Sequence, residues 1–172
     1  SGTGVSSVGA ITNSNATAAT DSGTIALAAA SSIGSANNIS FGGVISGGFA
    51  LTVNGGSGET GVITLSGANT YSGGTTISAG TLKLGVSSTG STSSITNGAL
   101  GTNTTAASNV ISSGATLDLN GYTLYNPLTI SGTGVGSNGA LINSSVTGAT
   151  LGGLITLGNA SVSIVGGTGT IT

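Results

Sequence analysis

Along the chain, apolar and polar residues alternate at period two in short runs, the signature of strands with one face turned to a core. The clear runs span 39–45, 49–53, 62–65, 81–84, 115–119, 128–130, 154–157 and 161–165. Clusters of turn formers separate them: Gly47-Gly48, Asn54-Gly55-Gly56, Ser72-Gly73-Gly74, Ala79-Gly80, Asn120-Gly121 and Gly166-Gly167. No segment carries a sustained helical stripe. The pattern predicts an all-β chain.

Two all-β architectures compete for this pattern. A sandwich or barrel needs bulky residues to fill a thick core, and the chain has only five aromatics: Phe41, Phe49, Tyr71, Tyr122 and Tyr125. A solenoid has a narrow core that Val, Ile, Leu and Ala fill layer by layer, with small residues at its corners. Ser, Thr and Asn can then hydrogen-bond from one rung to the next. The composition favours the solenoid.

Internal similarity supports it. Residues 1–31 and 131–161 align without gaps at an offset of 130, with 18 of 31 positions identical. Both copies open Ser-Gly-Thr-Gly-Val and share Gly9-Ala10 with Gly139-Ala140, Asn13-Ser14 with Asn143-Ser144, Ala19-Thr20 with Ala149-Thr150, Ile25 with Ile155 and Leu27 with Leu157. This reads as one full tandem unit over 1–130 and the start of the next over 131–172, an excerpt of a longer tandem array. Rungs of about 20–25 residues give roughly 7–8 rungs. The unit is expected to advance a whole number of them.

The segment 61–85, GVITLSGANTYSGGTTISAGTLKLG, closely resembles the autotransporter passenger-associated strand repeat. Its hallmark residues here include Leu65, Gly67, Asn69, Tyr71, Gly73, Gly74, Gly80, Leu82 and Leu84. The run 115–124 looks like the rung that often follows such a repeat. The resemblance implies a right-handed parallel β-helix in a secreted or surface-displayed bacterial protein, one that serves as an adhesin, a spacer or a carrier of other domains. The residues themselves agree with that fold. Alternation points Leu82 and Leu84 inward and Lys83 outward, and it places Asp118 outside between Leu117 and Leu119. Tyr71 is expected to pack against a neighbouring rung and Asn69 to ladder within a turn.

Composition removes most chemistry. The 172 residues include 34 Gly, 28 Ser, 28 Thr and 14 Asn, and the only charged side chains are Asp21, Glu59, Lys83 and Asp118. Without His or Cys, no zinc site, thiol nucleophile, Ser-His-Asp triad or disulfide can be assembled. One Lys and no Arg leave no basic surface for nucleic acid. The three carboxylates are too far apart in sequence to suggest an acid/base pair or a calcium cage. No cofactor or metal is expected, and no enzyme. A disordered linker is also disfavoured, since disorder goes with low hydropathy and high net charge, whereas mean hydropathy here is positive and net charge is −2.

No apolar run approaches the roughly 18 residues of a membrane span, and the opening residues show neither a basic nor an apolar signal region. Sequons at Asn15, Asn38, Asn103, Asn143 and Asn159 match the number that chance gives in so Asn- and Ser/Thr-rich a chain. Thr-x-Thr patterns at 102–104 and 168–172 are too sporadic for an ice-binding face. With that chemistry excluded, the resemblance implies a structural and adhesive function at the bacterial cell surface or outside the cell: a rigid stalk or self-associating fibre whose partner is itself, stacked end to end or in tandem. The alternative is an adhesin module that binds host or surface glycans or a receptor, with Tyr122 or Tyr125 as the aromatic platform.

Overall fold

The computed structural model describes residues 2, 4, 9–55 and 61–172. Glu59, one of the three carboxylates, lies outside them. Among the described residues there is no α-helix, only two single-turn 3-10 segments at Ala106–Ser108 and Val135–Ser137. The chain makes seven passes over three strand positions, called here the first, second and third faces.

The first face runs through Ser31–Gly34, Leu51–Asn54, the start of Thr75–Leu84, Val110–Ile111, Leu128–Gly132 and Ile155–Val162. The second runs through Ala19–Asp21, Ile39–Phe41, Val62–Leu65, the end of Thr75–Leu84, Ala115–Asp118, Leu141–Ile142 and Ile164–Val165. The third is made of shorter pieces: Ile25–Ala26 pairs with Ile45–Ser46, and Thr123–Leu124 with Thr150–Leu151. Between these two pairs, single backbone bonds carry the face on, Thr70 N–H to Ile45 O and Thr102 N–H to Tyr71 O. Every strand ladder between passes is parallel.

Register makes the core. In-register parallel pairing puts like positions directly over one another, so one alternation pattern, repeated at each pass, stacks aliphatic side chains into columns. On the first face the column is Ile11, Ile33, Val53, Ile77, Ile111, Ile130 and Leu157. On the second it is Ala19, Ile39, Ile63, Leu82, Leu117, Leu141 and Ile164. The middle members of both columns are completely buried or nearly so. At the ends the columns open: Leu157 is 61% exposed and Ile164 45%, although each stacks in register on a fully buried neighbour, Ile130 and Leu141. At the other end a cavity of about 150 Å³ lies among Ile11, Ile25, Leu27, Ile33, Ile45 and Leu51.

Two findings depart from the sequence reading. A polar stretch with no alternation, 89–97, forms an antiparallel hairpin of Thr89–Ser91 and Ser94–Asn97 outside the columns, tied by Thr89 Oγ1 and Thr96 Oγ1 at 2.6 Å. The 130-residue offset is also not a whole number of passes. Ala19 lies on the second face but Ala149 on the third, and Ile25 lies on the third but Ile155 on the first. The second copy therefore sits five passes and one face further on. Pass length varies because loops of different size, including that hairpin, are inserted at the corners.

The columns predict a sharp contrast between inner and outer positions. Leu82→Ala removes a fully buried member and is expected to cost about 2–5 kcal/mol. Thr64→Ala, on the outer side of the same face, is expected to stay within about 0.5 kcal/mol. Equilibrium denaturant unfolding of the two variants checks this.

Candidate functional site

The segment 61–85 makes one complete pass and the next strand. Val62–Leu65 lies on the second face, Asn69 to Tyr71 on the third, and Thr75–Leu84 bends from the first face onto the second. Leu65 is fully buried between Phe41 and Leu84, and Leu82 lies between Ile63 and Leu117.

Two corners need glycine for different reasons. At Gly73 the backbone of Phe49 and Ala50 from the preceding pass comes so close that a Cβ would collide with it. At Gly80, where Thr75–Leu84 changes face, φ is +73°, a conformation that a Cβ opposes. Gly67 and Gly74 occupy the neighbouring corners, against Gly43 and Ser108.

Asn69 and Tyr71 hold the third face, where backbone ladders are sparse. The Asn69 side chain is fully buried and bridges both neighbours. Its Oδ1 accepts from Ile45 N–H at 2.8 Å and its Nδ2 donates to Ala99 O at 2.9 Å. The ladder expected within one turn therefore runs between passes. Tyr71 is fully buried, with its hydroxyl 2.6 Å from Thr75 Oγ1. Burial pushes the phenol far above its usual range, and the hydrogen bond to Thr75 only partly offsets this.

Four further asparagines also tie backbone groups of one pass to those of another. Asn109 Oδ1 accepts from Thr75 N–H and Asn126 Nδ2 donates to Gly101 O and Asn103 O. Asn13 Nδ2 donates to Thr17 O and Asn38 O, and Asn143 Nδ2 to Thr147 O and Thr170 O. All four are buried. In the sequence Asn13 and Asn143 were visible only as matching letters of the repeat, and Asn109 and Asn126 gave no signal. No buried side-chain polar atom among the described residues lacks a partner.

Asp118 departs from its expected exposure. It is on the outward side, stacked on Lys83, but a loop from the following pass folds over it. Ser144 Oγ donates to its Oδ2 at 2.5 Å, and the backbone N–H groups of Asn120 and Ser144 donate to its Oδ1. Lys83 Nζ lies 3.6 Å from Oδ2 and 3.2 Å from Ser144 Oγ. The Asp118 side chain is only 5% exposed, so the pair is not a free surface ion pair. Asp21 instead accepts from Gly23 N–H in a local turn. Among the described residues no three His, Cys, Asp or Glu side chains cluster.

The tyrosines proposed as glycan platforms separate. Tyr122 packs partly against the core. Tyr125 lines an open groove of about 480 Å³ between the hairpin and the third face, with Thr92, Thr104, Pro127, Gly152 and Leu154. Gly152 lies flush against the Tyr125 ring.

Residues 59–84 match the family model of the passenger-associated-transport-repeat. The chain carries one such repeat. The hallmark residues of this repeat are thus the ones that build the stacked pass just described: inward Leu65, Leu82 and Leu84, the corner glycines, and the bridging Asn69 and Tyr71. A comparison with curated proteins and one with solved structures find no match.

Two predictions test the bridging role. Asn69→Ala strands Ile45 N–H and leaves Ala99 O only the longer bond from the Tyr71 hydroxyl, and is expected to cost about 1–3 kcal/mol for the stranded N–H, read by thermal or denaturant unfolding. The second concerns Tyr71. In the unfolded chain it ionises near pH 10, whereas in the folded chain it stays protonated beyond that. The folded state then binds the extra proton, so stability is level below about pH 10 and falls above it by up to about 1.4 kcal/mol per pH unit. Tyr71→Phe is expected to remove its part of that slope, measured by unfolding from about pH 8 to 11.5.

Proposed function

We propose that this chain is a structural and adhesive segment of a secreted or surface-displayed bacterial protein. Its columns wind as a right-handed parallel β-helix that acts as a rigid stalk or fibre built by self-stacking. The single observation that carries this reading is the in-register stacking of seven passes around a passenger-associated-transport-repeat. Backbone ladders run along the axis, and buried asparagines brace the corners between passes, so bending the stack requires breaking many bonds at once. Its role is extension and assembly, with no reaction to catalyse. The surface location rests on the family of the repeat.

Seven passes at the parallel-strand spacing of about 4.8 Å give a stack roughly 30 Å long. Each further copy of the unit lengthens it in proportion. Small-angle scattering from the chain and from tandem chains of added copies is expected to show constant cross-section and growing length. A cross-section that swells with added copies would contradict the stalk.

The groove at Tyr125 favours a second reading, a glycan-binding module. A half-buried ring beside Thr92 and Thr104 with a glycine floor suits a sugar's apolar face. A glycan array decides it: binding is expected to disappear in Tyr125→Ala and to persist in Tyr122→Ala. Absence of binding by the unaltered chain removes the module reading and leaves the stalk.

A further inference from the structure

Four asparagines in this chain precede glycine, at Asn54-Gly55, Asn97-Gly98, Asn120-Gly121 and Asn138-Gly139. Such a pair carries a reaction of its own. The glycine backbone nitrogen attacks the carbonyl carbon of the asparagine side chain, the new C–N bond closes a five-membered succinimide, and the side-chain nitrogen leaves as ammonia. Water then opens one carbonyl of the ring and yields aspartate or isoaspartate. Glycine has no Cβ, so its nitrogen is the least hindered of any residue and Asn-Gly pairs react fastest. To react, that nitrogen must give up its hydrogen bond and turn toward the side chain. What holds each glycine N–H therefore sets the rate.

In three of the pairs an adjacent pass holds it. Gly55 N–H donates to Ala79 O at 2.9 Å. Gly98 N–H donates to Asn69 O and Gly98 O accepts from Asn69 N–H, both at 3.1 Å, beside the fully buried Asn69 side chain. Gly121 N–H donates at 2.9 Å to Oδ1 of the buried Asn143, while Asn120 Nδ2, the nitrogen that would leave, donates to Leu84 O at 3.0 Å. Freeing any of these three means parting stacked passes.

The fourth pair differs. Gly139 N–H donates to Thr133 O at 2.8 Å, within the loop of its own corner. Thr116 Oγ1 pins this loop at two points, donating to Gly139 O and accepting from Val135 N–H, each at 2.9 Å. Between the pins the chain folds on itself, with Ser137 N–H bonded to Gly134 O and Asn138 N–H to Val135 O. Gly136, Ser137 and Asn138 are exposed, and Ser137 takes a φ of +62°, a left-handed conformation that strains a residue with a Cβ.

We propose that Asn138 is the site at which the folded chain deamidates first. The loop opens without parting the passes, and a local opening of this kind costs less than a sub-global one. Each conversion adds one negative charge, on an exposed loop, to a chain with only four charged side chains and a net charge of −2. In the first copy of the repeat Val8 stands at the matching place, so only one of the two copies carries the site. The site depends on neither the stalk nor the glycan reading.

The test incubates the full folded chain in mildly alkaline buffer at body temperature and maps amide-to-acid conversion by peptide mass. A denatured sample run alongside gives the rate of each pair without the fold. Relative to those rates, Asn138 in the folded chain is expected to convert at least about tenfold faster than Asn54, Asn97 and Asn120. Conversion at any other asparagine as early as at Asn138 overturns the assignment. So does a folded chain that shows none while its denatured sample converts. Asn138→Gln lengthens the side chain and disfavours the five-membered ring, so the first acidic species resolved by ion exchange is expected to disappear. Its persistence also overturns the site. Amide exchange on the unaltered chain gives a further readout: Gly139 N–H is expected to exchange fastest of the four glycine N–H groups, and a rate no higher than the other three counts against the site.

Discussion

The structure depends on parallel strands pairing in register, which forces each pass to set its inward side chains directly on those of the pass before. Because the spacing is fixed by backbone hydrogen bonds, the core is a set of one-dimensional columns in place of a three-dimensional jigsaw. A column member needs to fit only the residues above and below it. Ile, Leu and Val suffice, and five aromatics in the whole chain are enough. The same constraint leaves an end of every column unfinished, which is why Leu157 and Ile164 are exposed while their stacked partners are buried.

Columns alone would not hold the corners. There the chain turns away from the ladder, and its N–H and C=O groups need other partners, since a buried unpaired backbone group is costly. Asparagine answers this with a donor and an acceptor on one short side chain. Asn69 and Asn109 accept from a backbone N–H, of Ile45 and Thr75 in turn, and Asn13, Asn126 and Asn143 each donate to two carbonyls. Glycine answers a different need by letting adjacent passes come into backbone contact, as Gly73 does against Ala50. The high Gly and Asn content therefore follows from the corners and need not signal a flexible linker. The passenger-associated-transport-repeat packages one such pass, columns and corners together, in a single stretch.

Much of this was legible before any coordinates. Period-two alternation located the strands, and the Leu82-Lys83-Leu84 and Leu117-Asp118-Leu119 triplets showed which side each residue takes, because side-chain direction in a strand is purely local. The outward placement of Lys83 and Asp118 followed from those triplets. The burial of Asp118 did not, since it depends on Ser144 folding over it from a loop of the following pass whose path no local pattern encodes. The 89–97 hairpin escaped for a related reason: its one apolar residue, the buried Ile95, makes no alternation by itself. Tyr125 was picked out for its ring, and only the fold separated it from Tyr122 by giving it a groove.

By itself, then, the sequence determined the strands that alternate, their inward faces, several glycine corners and the repeat at an offset of 130, all properties set within a few residues or by comparing letters. Tertiary structure alone decided how far one unit advances the stack. That distance is the sum of every loop between the two copies, and the loops bring Ile155 to the first face where Ile25 holds the third. Local rules fix the direction of a side chain, but the angle between distant copies accumulates over the whole path and exists only once the chain has closed each pass upon the last.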